Sequence, residues 1–278
     1  MKHFTVRQFK DACHARYFGP EEALDQELSG VETDSRRVTK GTLFVAIPGE
    51  RVDGHKFIPD VYAKGAACAL SQQELTDPAG PYLLVKDTQQ ALKAAAESYR
   101  QTLDIPVIGI TGSVGKTSTR EMVACALSAE KKVYSTTGNS NGQLGVPITL
   151  SEADPNADVI VLEMGMSEPG EMSRISAVAR VSMGVVTNIG VSHIENLGSR
   201  ENIRKEKMHM ADYLSPDQVM VLNGEDDQLE VYRKGAPFRV VYYGLSENND
   251  YWAENIRVTD GRTYFTVHAG EETFEMQL

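Results

Sequence analysis

Hydrophobic positions in the first hundred residues fall into short blocks separated by turn residues. Thr42-Leu-Phe-Val-Ala-Ile47 is a continuous apolar run of strand length, and Ala66 to Leu70 is a second, with Gly65 at the turn before it. Phe57 to Lys64 reads as a helix between them, and Pro81 to Lys86 as a further strand. Thr88 to Leu103 carries Leu92, Ala95, Ala96 and Tyr99 at helical spacing before Pro106 interrupts the chain. This pattern predicts a small α/β domain over residues 1–104, with the junction near Asp104.

Beyond the junction, apolar strands and helical segments alternate. Val107 to Thr111, Lys132 to Ser135, Asp158 to Glu163, Met183 to Asn188 and Gln218 to Asn223 are the predicted strands of a second domain, residues 105–278. Runs so uniformly apolar fit a mostly parallel sheet with helices on both faces, and such sheets collect ligands beyond the carboxyl ends of their strands. Polar residues gather at those ends: Lys116 and Thr117, then Glu163, then Asn188 and His193, then Asn223 and Asp226.

The first of these ends carries the sharpest motif. In Val107-Ile-Gly-Ile-Thr-Gly-Ser-Val-Gly-Lys-Thr-Ser118 a strand enters a glycine-containing turn, and a helix follows from about Thr117 to Ala129. Gly112 and Gly115 permit close backbone approach to an anion, Ser113, Val114 and Ser118 complete the cradle, Lys116 supplies charge, and Thr117 offers a hydroxyl to magnesium. Amides opening the helix would face the same anion. The spacing departs from the standard phosphate loop, because Ile110 stands five positions before Gly115 where a glycine is usual.

Composition narrows the partners. A net charge of −11 argues against nonspecific binding to nucleic acid or anionic membranes and requires an anionic ligand to find a locally basic pocket. Cys13, Cys68 and Cys125 lack paired spacing, so neither a disulfide framework nor a zinc site is indicated. No apolar run reaches membrane-spanning length and the N-terminus has no signal-like segment, so a cytoplasmic protein is expected.

Several further residues admit two readings. Glu163 ends a strand, where its carboxylate suits the magnesium that Thr117 would touch or simply faces solvent. His193 is either a ligand or a loop histidine. Lys207 shares a helical face with Ile203, Met210, Ala211 and Leu214 on a helix capped by Ser199 and reaching about Leu214. It either snorkels to the surface or sits desolvated with a depressed pKa, in which case its neutral amine can take up carbon dioxide as a carbamate. The Asn139–Leu150 stretch, with Asn139 and Asn141, is a substrate loop or a structural turn. Asn223 to Asp227 meets a base and ribose or is likewise only a turn.

Taken in order, these residues resemble the Mur ligases, the ATP-dependent amide-bond-forming enzymes of cell-wall precursor synthesis, over essentially the whole chain. Thr111-Gly-Ser-Val-Gly-Lys-Thr117 is similar to the family's short phosphate loop, which accounts for the absent glycine. Thr33-Asp-Ser-Arg36, Gly41 to Gly49 and Asp53-Gly-His-Lys-Phe57 are similar to the domain that holds the UDP of the precursor in two members. Gly112-Ser113 with Arg120-Glu-Met122, the Asn139–Leu150 loop, Glu163-Met-Gly165 and Thr187-Asn-Ile-Gly190 look most like the member that joins D-alanyl-D-alanine to UDP-N-acetylmuramoyl-tripeptide.

The resemblance implies an acyl-phosphate mechanism. Lys116 would hold the β and γ phosphates of ATP, Thr117 and Glu163 a first magnesium, carbamylated Lys207 with His193 a second, and Asn223 the adenine. Lys116, His193 and Lys207 would be the catalytic residues, and Asp226 would lie in the nucleotide site. Ser35, Arg36, Asp53, Gly54 and His55 would lie at the precursor, as would Asn139 and Asn141. A monomer is expected. Family members continue past the equivalent of Leu278 into a further domain that closes over ATP, so an inactive fragment is expected. The alternatives are a non-catalytic UDP-sugar or nucleotide-binding module and the neighbouring ligase that adds the third peptide residue; the N-terminal segment disfavours a folylpolyglutamate synthetase.

Overall fold

The structure, a computed structural model, describes residues 1, 3–49, 52–138 and 140–278. It is a mixed α/β fold with mostly parallel sheets and helices on both faces. The chain divides into two compact units: Met1–Ile105 with Glu130–Ile160, and Pro106–Ala129 with Val161–Leu278. The first crossing thus lies one residue beyond the junction read near Asp104, and residues 130–160 return to the first unit.

The elements, in chain order, begin with α1 (Val6–Ala12), β1 (Arg16–Phe18), β2 (Gly30–Glu32), β3 (Thr42–Val45), α2 (Ile58–Ala63), β4 (Cys68–Ser71), β5 (Tyr82–Leu84) and α3 (Thr88–Thr102). Next come β6 (Val107–Thr111), α4 (Lys116–Leu127), β7 (Val133–Ser135), α5 (Gly145–Glu152), β8 (Val159–Glu163), α6 (Glu171–Ala179) and β9 (Met183–Val186). The remainder is α7 (Ile194–Leu197), α8 (Arg200–Met208), β10 (Val219–Asn223), β11 (Arg239–Gly244), β12 (Tyr251–Thr259), β13 (Arg262–Ala269) and β14 (Glu272–Gln277).

The first unit holds a five-stranded sheet in the order β1-β5-β4-β3-β2, parallel except for β1. Every residue of β3 and β4 is buried, as continuous apolar runs require of a sheet covered on both faces. One core packs Phe44, Ala46, Ala69 and Tyr82 against Ile58 and Val61 of α2. Helix α3 starts at Asp87, whose carboxylate accepts from the amides of Gln89 and Gln90, and it buries Leu92, Ala95, Ala96 and Tyr99. Those are the four positions at helical spacing in the sequence.

In the second unit β9 pairs in parallel with both β6 and β10, β10 with β11, and β11 with the first residues of β12. Val161–Glu163 of β8 lies on the other side of β6. Then the sheet changes character, because β12, β13 and β14 form an antiparallel meander. Gly109 and Gly184 are register partners on β6 and β9. A Cβ at Gly109 would meet the Met210 sulfur at 2.9 Å, and one at Gly184 the Met210 methyl at 2.8 Å. Two adjacent glycines therefore open a slot for Met210, and the chain after α8 tightens into a 3-10 turn, His209–Ala211, to reach it. That turn ends the helix expected to run to Leu214 and presses α8 onto the sheet.

Candidate functional site

The phosphate loop leaves β6 with Gly112 at φ +150° and enters α4 through Gly115 at φ +81°, conformations that favour glycine. A Cβ at Gly112 would lie 1.9 Å from Thr187 Oγ1. No other residue fits there without displacing the exit of β9. Gly115 caps α4 without a side-chain bond, so the amides opening the helix have no side-chain cap competing for them.

Thr117 and Arg120 lie one turn apart on α4 and share a face. Thr117 Oγ1 donates to Glu163 Oε2 at 2.9 Å, and Arg120 donates to the same oxygen at 3.3 Å. Glu163 is 2% exposed and Arg120 3%. The carboxylate is thus fixed by a neighbouring hydroxyl and a buried cation, and it does not face solvent as the bland reading of a strand-end acid would have it. Arg120, whose second carboxylate partner is Glu121, received no role from the sequence. Its spacing of three from Thr117 was the available signal.

Lys207 is 1% exposed, which excludes snorkelling. Its Nζ donates to the Gly112 carbonyl at 3.1 Å, and Lys116 Nζ donates to the same carbonyl at 2.9 Å. Burial foremost, then the adjacent Lys116 charge, pulls the Lys207 ammonium down from 10.5 to about 7, with Glu206 opposing. Glu206 is itself engaged, accepting from the amides of Gly170 and Met172 at 2.9 Å each and so tying α8 to the start of α6.

The remaining residues of this unit divide by what they touch. His193 is exposed and starts α7 at φ +63°. Asn223 turns inward: its Nδ2 donates to the Thr187 carbonyl at 2.9 Å, and its Oδ1 accepts from Glu225 N. Asp226 accepts from Ile189 N at 2.6 Å and from Gln228 N, with Arg200 3.7 Å away. One polar atom of each residue thus braces the segment after β9, through Thr187 and Ile189, and the other shapes their own loop after β10. On the phosphate loop Ser113 is buried and Val114 exposed, and Ser118 is exposed in the first turn of α4.

In the first unit Thr33, Asp34, Ser35 and Arg36 border a hollow of about 460 Å3 with Gly54 and Phe57. The Arg36 side chain pairs with Asp34 and holds its carboxyl down to about 2. Asp53 accepts from the backbone amide of His55 and lies 2.6 Å from His55 Nδ1, while His55 Nε2 accepts from Gln72 N. His55 is buried with both ring nitrogens engaged, so it braces this turn. Asn141 is half-buried in the loop before α5, and Asn139 lies outside the described residues.

Thr117 and Glu163 together present hard oxygens beside a glycine-built anion cradle. Among the described residues no group of three or more His, Cys, Asp or Glu is placed to hold a metal. That sparse oxygen set fits magnesium, which keeps waters and phosphate oxygens as its other ligands. Lys207 has no lone pair to offer as an ammonium, and as a neutral amine its nitrogen is a poor match for a hard cation that prefers oxygen; a carbamate would supply oxygens.

Comparison with known proteins places this geometry. Residues 110–278 match the Mur ligase middle domain, and residues 27–100 match the Mur ligase family catalytic domain. The chain is 36% identical to UDP-N-acetylmuramoyl-tripeptide–D-alanyl-D-alanine ligase of Bacillus subtilis, over 89% of this chain and 54% of the relative. It is 34% identical to the enzyme of that name from Escherichia coli, over 99% of this chain and 60% of the relative. It superposes on the crystal structure of MurF from Acinetobacter baumannii with a TM-score of 0.88 at 28% identity, over 99% of this chain and 60% of that one. On MurF ligase from Thermotoga maritima in complex with ADP the TM-score is 0.79 at 27% identity, over 89% and 57% of the two chains. The chain thus spans between half and two thirds of the length of these relatives. With the phosphate loop, Glu163 and Lys207 all inside the matched middle domain, the chain belongs to the Mur ligase family.

Proposed function

We propose that this chain serves ATP-dependent ligation of UDP-N-acetylmuramoyl-tripeptide to D-alanyl-D-alanine in peptidoglycan precursor synthesis, in the cytoplasm and as a monomer without a nucleic-acid partner. No helix among the described residues is long and apolar enough to cross a membrane. The observation that carries the reading is the convergence of Lys116, the Thr117–Glu163 pair and Lys207 on one phosphate loop, in a chain 36% identical to a ligase of that name.

Lys116 binds the β and γ phosphates as a point charge, and the first amides of α4 share the anion. Thr117 and Glu163 hold magnesium, which when bound lowers the repulsion between the tripeptide carboxylate and the γ-phosphate. The carboxylate oxygen attacks phosphorus, ADP leaves, and the dipeptide amine then displaces phosphate from the acyl carbon, losing a proton. At neutral pH a large share of Lys207 is the free amine, the form that adds carbon dioxide with loss of one proton to give a carbamate. That carbamate would be a carboxylate-like ligand, with His193 as its neighbour. Ser35, Arg36 and the Asp53–His55 turn belong to the precursor end, with Asn139 and Asn141.

Calorimetric titration with Mg-ADP, with UDP-N-acetylmuramoyl-tripeptide and with the corresponding dipeptide tests this. Saturable binding of ADP and a preference for the tripeptide are expected. Binding of the precursor without ADP would point to the non-catalytic module, a preference for the dipeptide to the neighbouring ligase, and binding of neither would overturn the reading.

A further inference from the structure

The phosphate loop is held at its tip by a pair of residues from the end of β9. Val114 is 64% exposed, so its side chain anchors nothing. Its peptide groups are nevertheless all taken. The Val114 amide donates to Asn188 Oδ1 at 3.2 Å, and the Val114 carbonyl accepts from Thr187 Oγ1 at 2.6 Å and from Asn188 Nδ2 at 3.1 Å. Ser113 N donates to the Asn188 carbonyl at 3.0 Å.

Thr187 and Asn188 are themselves braced. The Thr187 amide donates to the Thr111 carbonyl at 2.9 Å, and the Thr187 carbonyl accepts from Asn223 Nδ2 at 2.9 Å and from the Tyr243 hydroxyl at 3.3 Å. Strands β6, β10 and β11 therefore all fix the peptide that carries the two latching side chains. A loop containing Gly112 and Gly115 has much conformational freedom to lose, and whatever orders it before ligand arrives lowers the cost of binding.

We propose that Thr187 and Asn188 are positioning residues for the phosphate loop, clamping the Val114 peptide at both polar ends so that the amides opening α4 stay free for a polyphosphate. This rests on the reading of the loop as a nucleotide site. Thr187→Val keeps the shape and removes the hydroxyl, whereas Thr187→Ser keeps the hydroxyl.

Titration of the chain with Mg-ADP and with inorganic tripolyphosphate is the test. Thr187→Val is expected to bind both about tenfold more weakly, the scale of one or two lost hydrogen bonds, and Thr187→Ser to stay within about threefold of wild type. Equal affinity in Thr187→Val and wild type would overturn the proposal, as would an equal loss in Thr187→Ser, which would indicate packing. Failure of the wild-type chain to bind either ligand would remove the nucleotide reading itself. Hydrogen exchange needs no Thr187 variant: Asn188→Ala should speed exchange at the Val114 amide while β6 keeps its protection. Unchanged exchange at Val114 would sink the latch.

Discussion

Replacing Arg120 by methionine removes the buried cation beside Glu163, and the structure sets the size of the effect. Arg120 and Glu163 are 3% and 2% exposed, and their contact is 3.3 Å. Breaking a pair so buried leaves one charge uncompensated, a cost of about 3–5 kcal/mol. The Thr117 hydroxyl stays on the carboxylate at 2.9 Å, which puts Arg120→Met toward the lower end, about 3 kcal/mol. Glu163→Gln should cost somewhat less, about 2 kcal/mol, since Arg120 keeps its contact with Glu121. The double variant removes both charges of the pair and strands neither, so its loss should fall well short of the sum, with a coupling of about 2–3 kcal/mol. Trp252 is the single tryptophan and lies in β12, stacked on His268, so its fluorescence in urea reports the second unit. Additivity of the two single losses to within about 0.5 kcal/mol would refute the pairing.

Gly112→Ala should lose Mg-ADP binding by more than about tenfold, because the new Cβ would sit 1.9 Å from Thr187 Oγ1 and the loop must move; unaltered affinity by calorimetry would contradict the close approach. Lys207→Met should make the protein more stable near neutral pH by up to about 4 kcal/mol, since wild type holds an amine of ordinary pKa 10.5 down to about 7. Between pH 7 and 10.5 the unfolded wild-type chain binds the extra proton, so wild-type stability should climb with pH across that window and the gap to Lys207→Met should close. A gap independent of pH, in metal-free buffer purged of carbon dioxide, would refute the depressed pKa.

The strand bounds Val107–Thr111 and the buried face of α3 were legible because each rests on a local rule, a continuous apolar run or a 3.6-residue period. Lys207 on the apolar stripe of α8 was legible for the same reason. The meander β12–β14 was not, because most of its residues are exposed and its pairing rests on neighbouring strands rather than on a buried alternating face. Asn223 and Asp226 show another limit. Sequence places both beyond a strand end, where ligands gather, but their partners Thr187 and Ile189 are 36 and 37 residues away. Only the fold reveals that these polar groups are already engaged. His55 behaves alike, its ring closed between Asp53 and Gln72.

An acidic chain of net charge −11 must concentrate positive charge to hold a polyphosphate, and here the concentration is built below the surface. Lys116 and Lys207 donate to one carbonyl, that of Gly112, and Lys116 is one reason the Lys207 ammonium is depressed. Arg120 adds a third cation but is committed to Glu163 and Glu121. Two ammonium groups at one acceptor repel each other, and the repulsion is relieved when Lys207 gives up its proton or when an anion arrives between them. These reliefs oppose one another, since a bound polyphosphate favours the ammonium form of Lys207 and so disfavours the neutral amine that takes up carbon dioxide. If Lys207 is carbamylated as proposed, the order that avoids the conflict would be deprotonation and carbamate formation at Lys207 before nucleotide enters the loop that Thr187 and Asn188 are proposed to hold.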